Sequence, residues 1–540
     1  MPRNPGTKSA IRVFALVFLL FAALTSLWAW TTPLSASPDE PAHIVKAASV
    51  VRGQWIGAPD PFGHLVEVPG YIAFSQSLTC TANEPMRTAD CAPPFTEASA
   101  RMTTASTTAG LYNPAYYLIV GWPSLIFEGT SGIYAMRLMS GLASSFFIAS
   151  SVTVLAHLRR PMLPVLTLLV AVTPMTLFLS ASVNPNGLEI TATLCAFVGM
   201  MSIIIREDMG YFRLRCVLVA LAASVAVNMR GISPIWVAIA LFVPLMLLPP
   251  GKLRPLLMAP AVRGVILAIA LATALAVAWT VGSGSLSSGL DDKTEIPDMA
   301  YKGASPLLGF FGTLDSSFLH AQNMVGIFGW LDTPVPLGVY FIWSVLAGGL
   351  ALACVVLLKG KWLWLTTLLG SGVIFIPAIL QAIYIGGGGF IWQGRYTLPL
   401  FVCFIVASGF ALAQLFSTLS PSLHARLAVG ITALWILGQF AAYAQSIRRY
   451  SVGISGSWIK MVTEPNWTPL GGNLFWLVMG LLTALATGIV VARVGRRSSR
   501  RAGSVSSLQN HRPKQMYNKA SDRASDQRKH DSVEKTDRSE

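Results

Sequence analysis

Long apolar runs separated by short polar segments make up most of this sequence. About twelve of these runs are long enough to cross a bilayer as α-helices. A further apolar stretch at 113–127 is interpreted as a helix lying in the membrane interface, because counting it as a span would invert the charge of every later loop. We predict spans at about 13–30, 133–157, 161–181, 187–205, 215–230, 232–249, 261–281, 335–358, 362–384, 398–416, 427–447 and 474–494.

Basic residues in the short loops favour one orientation. They fall mainly on the side of the N-terminus, which predicts that both termini are cytoplasmic. Arg448, Arg449 and Lys460 oppose the rule, since this count places them in an external loop. The residues that follow the rule are Arg3, Lys8, Arg12, Arg159, Arg160, Arg206, Arg213, Arg215, Lys252, Arg254, Arg263, Lys359, Lys361 and Arg426.

The first apolar run has a secretory signal peptide as its alternative interpretation, with a passable cleavage site at 34–36. Its length, and the interfacial aromatic residues Trp28 and Trp30 at its end, favour a retained span. The expected location is therefore the cytoplasmic (inner) membrane, with Asp39 facing outward.

Three of the external regions in this topology carry the polar groups of interest. The first, 31–131, is long enough to contain interfacial helices, the second covers 283–334, and the third is the glycine-rich loop at 386–397. Together with the spans they form one transmembrane domain, 1–492. The remaining 493–540 segment is rich in Ser, Asp, Lys and Arg and is predicted to be a disordered basic cytoplasmic tail.

Composition supports a membrane protein and argues against nucleic-acid binding. The 540 residues are 53% hydrophobic and 12% charged, about half the charged share of a soluble protein. The formal net charge of +15 is spread over loops that set orientation. We therefore expect the lipid bilayer, and no nucleic acid, as a partner.

The six cysteines do not form a disulfide scaffold. Only Cys80 and Cys91 share a polar external loop, and we predict a disulfide between them, with two free thiols as the alternative. The others lie in or beside apolar runs, where Cys behaves as a small buried hydrophobe. They are Cys195, Cys216, Cys354 and Cys403.

Two adjacent carboxylates and an imidazole follow the first span. In residues 37–43 (SPDEPAH), Asp39 or Glu40 predicts a helix N-cap and Pro41 suits the first turn of an interfacial helix that ends near Gly53. A carboxylate at a helix N-terminus stays ionised, which suits a base or a metal ligand. The alternative is that both acids only cap the helix at the membrane boundary.

The third external region offers a cation among aromatic residues. Arg395 follows four glycines and is flanked by Trp392 and Tyr396, so a planar guanidinium could bind a phosphate while the rings stack on a sugar or isoprenoid. The alternative is an interfacial anchor in an aromatic belt. The external string at 184–187 (NPNG) is interpreted as a turn with a helix cap.

Three motifs in order carry a family resemblance. Residues 37–43 (SPDEPAH), 328–333 (FGWLDT) and 393–396 (QGRY), with Pro399 after the last, resemble the signatures of the bacterial membrane family known as domain of unknown function 2142. The match extends to about residue 450. That family is similar in layout to GT-C glycosyltransferases, which have an acidic motif after the first span, interfacial helices and about a dozen spans.

The GT-C resemblance implies transfer of a sugar from a polyprenyl-phosphate donor to an envelope glycan, lipid or protein at the outer face of the membrane. An inverting transfer needs a base for the acceptor hydroxyl and positive charge for the departing phosphate. Asp39 suits the first role and Arg395 the second. We place Glu40 with Asp39 in the catalytic group. The predicted substrate-binding residues are His43, Trp330, Asp332, Trp392, Arg395 and Tyr396.

No cofactor is certain from the sequence. A divalent metal is possible, because GT-C enzymes differ in whether one helps, but two adjacent carboxylates and one His lack a diagnostic ligand spacing. A flippase or transporter of lipid-linked sugars is the alternative function. It would place polar residues and broken spans near the middle of the bilayer in paired halves, whereas here the polar groups gather in external loops. A non-catalytic envelope-assembly protein is the third hypothesis.

Overall fold

Helices dominate the structure, a computed structural model that describes residues 5–95, 100–205, 211–285, 300–416 and 420–496. Asp291, Asp292, Arg206 and most of the basic tail lie outside the described residues. The long helices are α1 (Pro5–Thr31), α5 (Gly129–Ala156), α8 (Pro185–Ile205), α12 (Pro260–Gly282), α15 (Leu337–Leu357), α16 (Gly360–Gly388), α17 (Leu398–Leu415), α18 (Pro421–Val452) and α20 (Asn473–Arg496).

In the described part of the chain, eleven shorter helices connect or flank the long ones. They are α2 (Glu40–Val50), α3 (Gly70–Phe74), α4 (Pro114–Gly121), α6 (Met162–Ala171), α7 (Pro174–Ser180), α9 (Phe212–Val227), α10 (Ser233–Phe242), α11 (Leu253–Met258), α13 (Pro306–Asp315), α14 (Ser317–Gly326) and α19 (Lys460–Thr463). Tight 3₁₀ turns occupy Ser75–Leu78, Ala89–Cys91, Trp122–Leu125, Val243–Leu247 and Gly394–Thr397.

The predicted class, a largely helical polytopic membrane protein, is confirmed, but the count of twelve spans is not. Within the described residues, nine helices are long and apolar enough to cross a membrane, and the bent pair α6–α7 makes a tenth. The spans predicted at 215–230 and 232–249 correspond to α9 and α10, with 16 and 10 residues. At 1.5 Å per residue, 16 residues reach about 24 Å, less than the roughly 30 Å hydrocarbon core.

The core of the helix bundle lies around α6, α7, α8 and α17. In α8, 89% of the apolar stretch is buried, whereas in α12 only 11% is, so α12 presents its side chains outward to lipid. Helix α1 packs on α5, and α5 and α9 both pack on α8. The end of α1, the starts of α5, α8 and α17 and the turn between α9 and α10 therefore meet at one end of the bundle, called here the Asp39 end.

A proline breaks the buried path between α6 and α7, which meet at an angle of 66°. Pro174 lacks an N–H and disfavours helical backbone before it, and Thr173 caps α7 through its Oγ1. The carbonyls that the break frees need donors, because no water reaches them in the bundle. Trp435 Nε1 and Gln439 Nε2 donate to Val172 O, at 3.2 and 2.8 Å.

A small antiparallel sheet in the first external region was not predicted. It has the order β1 (Ala58–Asp60), β2 (Gly63–Pro69), β3 (Met102–Thr107), with Val66 opposite Ala105. The sheet packs on α2, whose side chains are almost all buried within the protein. A second pair of short strands, β4 (Ile327–Phe328) and β5 (Thr333–Pro334), encloses the turn of the FGWLDT motif.

Helix α4 covers the start of the 113–127 stretch, and its interfacial position stays a prediction. It has eight residues, too few to span, and Asn113 caps it by accepting a hydrogen bond from the Ala115 N–H at 2.9 Å. Beyond it, Trp122, Leu125, Ile126 and Phe127 expose between 41% and 65% of their surface. Exposed apolar residues at a helix end are typical of contact with lipid.

Candidate functional site

The turn between α1 and α2 presents Asp39 at the surface. Asp39 has a left-handed backbone (φ 62°), a conformation that Asp tolerates better than most residues. It occupies the N-cap position of α2, but its side chain makes no capping hydrogen bond, unlike the predicted cap. The carboxylate is therefore available for another partner.

That partner is Arg395, from the 3₁₀ turn before α17. Arg395 Nη2 donates to Asp39 Oδ2 at 2.7 Å. The two side chains differ in exposure, with 49% of Asp39 accessible and only 2% of Arg395. Arg395 Nη2 also lies 3.4 Å from the Tyr396 hydroxyl, while its Nε and Nη1 have no hydrogen-bond partner. The pair thus combines an accessible carboxylate with a buried cation that retains unused donors.

The backbone before Asp39 is held by side chains from four other parts of the chain. Each donates to a carbonyl of this segment, so the approach to Asp39 is fixed from several sides. The donors are Arg137 to Thr32 O and Pro33 O at 2.6 and 2.8 Å, Trp330 to Ser35 O at 3.1 Å, Tyr450 to Ala36 O at 3.2 Å, and Asn184 to Pro38 O at 3.2 Å.

Gly394 brings the Arg395 turn close to α14. A Cβ on Gly394 would lie 2.0 Å from the carbonyl oxygen of His320, so only glycine permits this contact. On the other side of the loop, Gln381 Oε1 accepts hydrogen bonds from the N–H groups of Ile391 and Trp392, at 3.1 and 2.9 Å. Both contacts fix the position of Arg395 relative to the bundle.

A second cation lies beside Tyr396. The guanidinium carbon of Arg230, in the turn between α9 and α10, is 4.1 Å from the centre of the Tyr396 ring. Arg230 Nη1 donates to Asn186 Oδ1 at 2.8 Å and lies 4.0 Å from Glu189 Oε2. Two arginines therefore flank Tyr396, because the Arg395 guanidinium is 5.3 Å from the same ring.

His43 lies one turn along α2 from Asp39. Its Nδ1 is 2.8 Å from the Tyr117 hydroxyl, and its ring meets Tyr112 edge to face at 5.5 Å. Burial lowers the pKa of His43 to about 4, despite the opposing effect of Asp39. His43 is therefore uncharged at neutral pH, and adds a polar ring and no positive charge to the site.

Asp39 is ionised for a different reason. Burial among its neighbours acts to raise the pKa of Asp39, but Arg395 and the other nearby cations act against it, and the pKa lies below the ordinary value of 3.8. At neutral pH the group is thus a carboxylate, the form that can accept a proton.

Glu40, predicted with Asp39 as a catalytic residue, is buried and paired with Arg137. Arg137 binds it in a two-pronged contact, with Nε to Oε1 at 2.7 Å and Nη2 to Oε2 at 2.5 Å. Both side chains are fully buried. Glu40 Oε1 also accepts the Val183 N–H at 3.0 Å. A carboxylate engaged on both oxygens and closed to solvent cannot meet a substrate.

The FGWLDT motif also makes structural contacts. Trp330 donates its indole N–H to the Ser35 carbonyl, as described above. Asp332 accepts from the Thr333 hydroxyl at 2.8 Å and from Arg449 Nη2 at 3.3 Å, and 8% of its side chain is exposed. These groups join segments that are distant in the sequence, and their predicted role in substrate binding stays a prediction.

Trp392 is likewise mostly buried. Its indole N–H donates to Thr397 Oγ1 at 3.2 Å, and its ring meets Tyr396 edge to face at 5.8 Å. Of the two predicted aromatic residues, Tyr396 is half-buried and lies next to both arginines. Trp392 is buried and packs against the Tyr396 ring.

Cys80 and Cys91 form a disulfide in the structure, with their Cα atoms 6.1 Å apart. Arg449 holds the loop between them, because its guanidinium donates to the carbonyls of Thr81, Glu84 and Arg87 at 2.5 to 3.0 Å. The same arginine contacts Asp332, so the disulfide loop and the FGWLDT turn share one buried cation.

The Asp39 region offers no ready-made cluster of metal ligands among the described residues. Among the residues that the structure describes, no group of three or more His, Cys, Asp and Glu side chains could hold a metal ion. The Asp39–Glu40–His43 string separates in space, since Glu40 is bound by Arg137 and His43 by Tyr117.

Sequence reasoning missed several polar residues that build this region. Arg137, Glu189 and Arg230 lie within or at the ends of apolar runs, where ionisable residues are costly and mark functional or structural pairs. Lys46 is a further case on α2, with its ammonium donating to the Gly110 carbonyl at 2.6 Å and its pKa lowered to about 8 by burial. An ionisable residue inside an apolar run was the available signal.

Comparisons with known proteins give one family model and several similar solved structures. The family model described as "Predicted membrane protein (DUF2142)" matches residues 19–404, and no curated protein matches the sequence. The crystal structure of ArnT from Cupriavidus metallidurans bound to undecaprenyl phosphate is similar, at 13% identity and a TM-score of 0.42, over 91% of this chain and 78% of that one. The apo state of the same protein gives 12% identity and a TM-score of 0.42, over 92% and 78%.

Proposed function

The chain belongs to the DUF2142 family of predicted membrane proteins, as its three motifs predicted, and we propose that it is a membrane glycosyltransferase. In this proposal it moves a sugar from a polyprenyl-phosphate donor to an envelope acceptor on the outer face of the cytoplasmic membrane. Both termini are cytoplasmic, and the Asp39 end faces outward. The acceptor is a glycan, a lipid or a protein that presents a hydroxyl group.

The observation that carries the proposal is the Asp39–Arg395 pair. A carboxylate that is half exposed and a buried arginine with unused donors lie 2.7 Å apart where the membrane helices end. A group that takes a proton and a group that binds an anion are the two requirements of transfer from a lipid phosphate. Their position suits a donor whose lipid tail stays in the bilayer.

The reaction follows from these two groups. The acceptor oxygen attacks the anomeric carbon, Asp39 takes the hydroxyl proton, and the bond between the anomeric carbon and the phosphate oxygen breaks. The electron pair of that bond leaves with the lipid phosphate, whose charge Arg395 stabilises. Attack from the face opposite the phosphate inverts the anomeric configuration. No step needs a metal ion.

Arg230 and Tyr396 assist by position. Arg230 is bound by Asn186 and Glu189 and packs against the Tyr396 ring. These contacts fix the orientation of the ring at one face of the site. Tyr396 is half-buried and can pack against the sugar or the first isoprene unit, as aromatic rings do with flat apolar faces. Neutral His43 leaves the charge balance to Asp39 and the two arginines.

A transfer assay tests the proposal directly. The purified chain in lipid nanodiscs is incubated with a panel of radiolabelled polyprenyl-phosphate sugars and membrane lipids, and labelled products are separated from donor. We expect at least one donor to yield product, and Asp39→Asn to lower the rate roughly 100-fold. Asp315→Asn is the matched control, since Asp315 is exposed on α13.

The two carboxylate variants must be compared at equal expression and equal melting temperature. Full turnover in Asp39→Asn would contradict a base at this position. Donor binding without transfer, combined with movement of the labelled lipid across the bilayer, would favour the flippase instead.

A further inference from the structure

Unpaired polar atoms gather around the turn that holds Arg395. In the described part of the chain, Arg395 Nε and Nη1 and Gln393 Oε1 are buried without a hydrogen-bond partner. The Arg395 side chain is 2% exposed, and Gln393 is half-buried. Buried polar atoms in folded proteins are nearly always paired, so unpaired ones beside the Asp39 carboxylate indicate a place where a ligand can pair them.

Asn323 of α14 adds a third residue to this group. A Cβ on Gly394 would lie 2.7 Å from Asn323 Cβ, so the Asn323 side chain packs directly against the turn. Asn323 is 6% exposed, and its Nδ2 donates to the Leu319 carbonyl of its own helix at 2.9 Å. Its Oδ1 has no partner. Two amide oxygens and two guanidinium nitrogens therefore stay unpaired around Gly394.

The unpaired atoms are of two chemical kinds, donors on Arg395 and acceptors on Gln393 and Asn323. An ionised phosphate diester offers only acceptors, so it can pair the arginine but neither amide oxygen. A hydroxyl group can donate to an amide oxygen. It suits this turn better than a protonated amine, because Arg395 and Arg230 already place positive charge beside Tyr396. A ligand with hydroxyl groups next to a phosphate therefore pairs the whole set.

We propose that Asn323 and Gln393 bind hydroxyl groups of the donor sugar, next to the phosphate that Arg395 binds. This sugar subsite rests on the proposed transfer reaction and supplies the residues that select its sugar. Both amide oxygens are closed to solvent in the ligand-free structure, so the half-buried Gln393 side chain rotates outward when the sugar enters. Asp39 contacts the same arginine and thus lies beside the bound sugar.

Binding of lipids with and without a sugar tests the subsite. The full chain in nanodiscs is titrated, without acceptor, with radiolabelled undecaprenyl-phosphate esters of glucose, mannose, galactose and arabinose. Undecaprenyl methyl phosphate is the reference, since it is a diester of equal charge that lacks the sugar. We expect at least one sugar lipid to bind more tightly than this reference.

Two variants remove the amide oxygens and keep the side-chain size. Asn323→Leu and Gln393→Met should each weaken the preferred sugar lipid about fivefold, the effect of one hydrogen bond, and leave undecaprenyl methyl phosphate unchanged. Gln322→Met is the matched control, because it removes the same amide from an exposed position on α14 and should leave both affinities at the wild-type value. If Asn323→Leu does not fold, the half-buried Gln393 decides alone.

The outcomes separate the subsite from the transfer reaction. Wild-type sugar preference in both variants would show that these oxygens bind only water, and would overturn the subsite. Equal losses for the sugar lipid and the reference, or no sugar preference in the wild type, would overturn it as well. Sugar preference that both variants lose, with no labelled product in the transfer assay, would contradict the glycosyltransferase and support the subsite.

Discussion

Four arginine–carboxylate pairs in the described part of the chain lie at the Asp39 end, and their exposure separates their roles. In three of them the carboxylate is at most 8% exposed, and only in the fourth, Asp39, is it accessible at 49%. A buried pair stabilises an arrangement of helices, whereas an accessible carboxylate can meet a substrate. The pairs are Arg137–Glu40, Arg230–Glu189, Arg449–Asp332 and Arg395–Asp39.

Glu40→Gln and Asp39→Asn should therefore fail in different ways. Glu40→Gln leaves Arg137 buried without its counter-charge, which costs about 3–5 kcal/mol of folding stability. Asp39→Asn keeps a residue that tolerates the left-handed backbone and breaks a half-exposed pair, so stability should change little. Thermal unfolding in nanodiscs measures the difference. Equal melting temperatures for the two variants would show that Glu40 is not a structural anchor.

Replacing Arg395 should change both phosphate binding and the acidity of Asp39. Arg395→Lys keeps the charge but loses the Nε and Nη1 donors, so we expect weaker donor affinity and slower turnover in a folded protein. Arg395→Met removes the cation that lowers the pKa of Asp39. Burial, which acts to raise this pKa, then has the larger effect, and the pKa of Asp39 rises. The acid limb of the pH–rate profile should move to higher pH in Arg395→Met. Normal turnover and donor affinity in both variants would show that Arg395 only anchors the chain at the membrane interface.

At the scale of elements, buried polar side chains hold irregular backbone in place. The break before α7 is stabilised because Trp435 and Gln439 from α18 donate hydrogen bonds to Val172 O. The disulfide loop at the Asp39 end is held in the same way, since Arg449 donates hydrogen bonds to three of its carbonyls. Loops that are fixed by buried donors can position Asp39 as firmly as a helix would.

The disulfide loop gives the prediction at this scale. Cys80 and Cys91 are 11 residues apart, and opening the bond should lower the stability by about 2–4 kcal/mol through the added freedom of the unfolded chain. Mass spectrometry of unreduced peptides should find the linked pair, and the Cys80→Ser, Cys91→Ser double variant should melt at a lower temperature. Reductant should then have no further effect on the variant. Two alkylatable thiols in protein purified without reductant would refute the bond.

For the whole molecule, orientation decides whether the Asp39 site can reach an envelope acceptor. Phe62 is 72% exposed in the turn between β1 and β2, and Arg426 is exposed near the start of α18. Single-cysteine variants at these positions, in a chain lacking the buried free cysteines, should react differently with a membrane-impermeant maleimide. We expect Phe62→Cys to be labelled in intact cells and Arg426→Cys only after permeabilisation. The reverse pattern would place the Asp39 end in the cytoplasm.

The sequence alone determined the membrane class, the order of the long helices, and Asp39 and Arg395 as the residues of interest. These are local properties. A sufficiently long apolar run inserts into the membrane independently of the rest of the chain, and a motif consists of adjacent residues. Orientation follows from the same local counts and stays a prediction. The short helices α9 and α10 were predicted as spans because their residues are apolar. Hydropathy does not show where a helix ends, since that depends on how the helix packs against its neighbours.

Only the tertiary structure decided which acid of the Asp39–Glu40 pair is accessible. The two are adjacent in the chain, yet Asp39 meets Arg395 across 356 residues and Glu40 meets Arg137 across 97. Partner choice of this kind depends on which helix ends pack together, and no local pattern encodes it. The same holds for Trp330 and Asp332. Their motif predicted substrate binding, whereas in the structure their polar atoms form hydrogen bonds that join loops. Buried polar groups need hydrogen-bond partners, and the fold decides which partners are near.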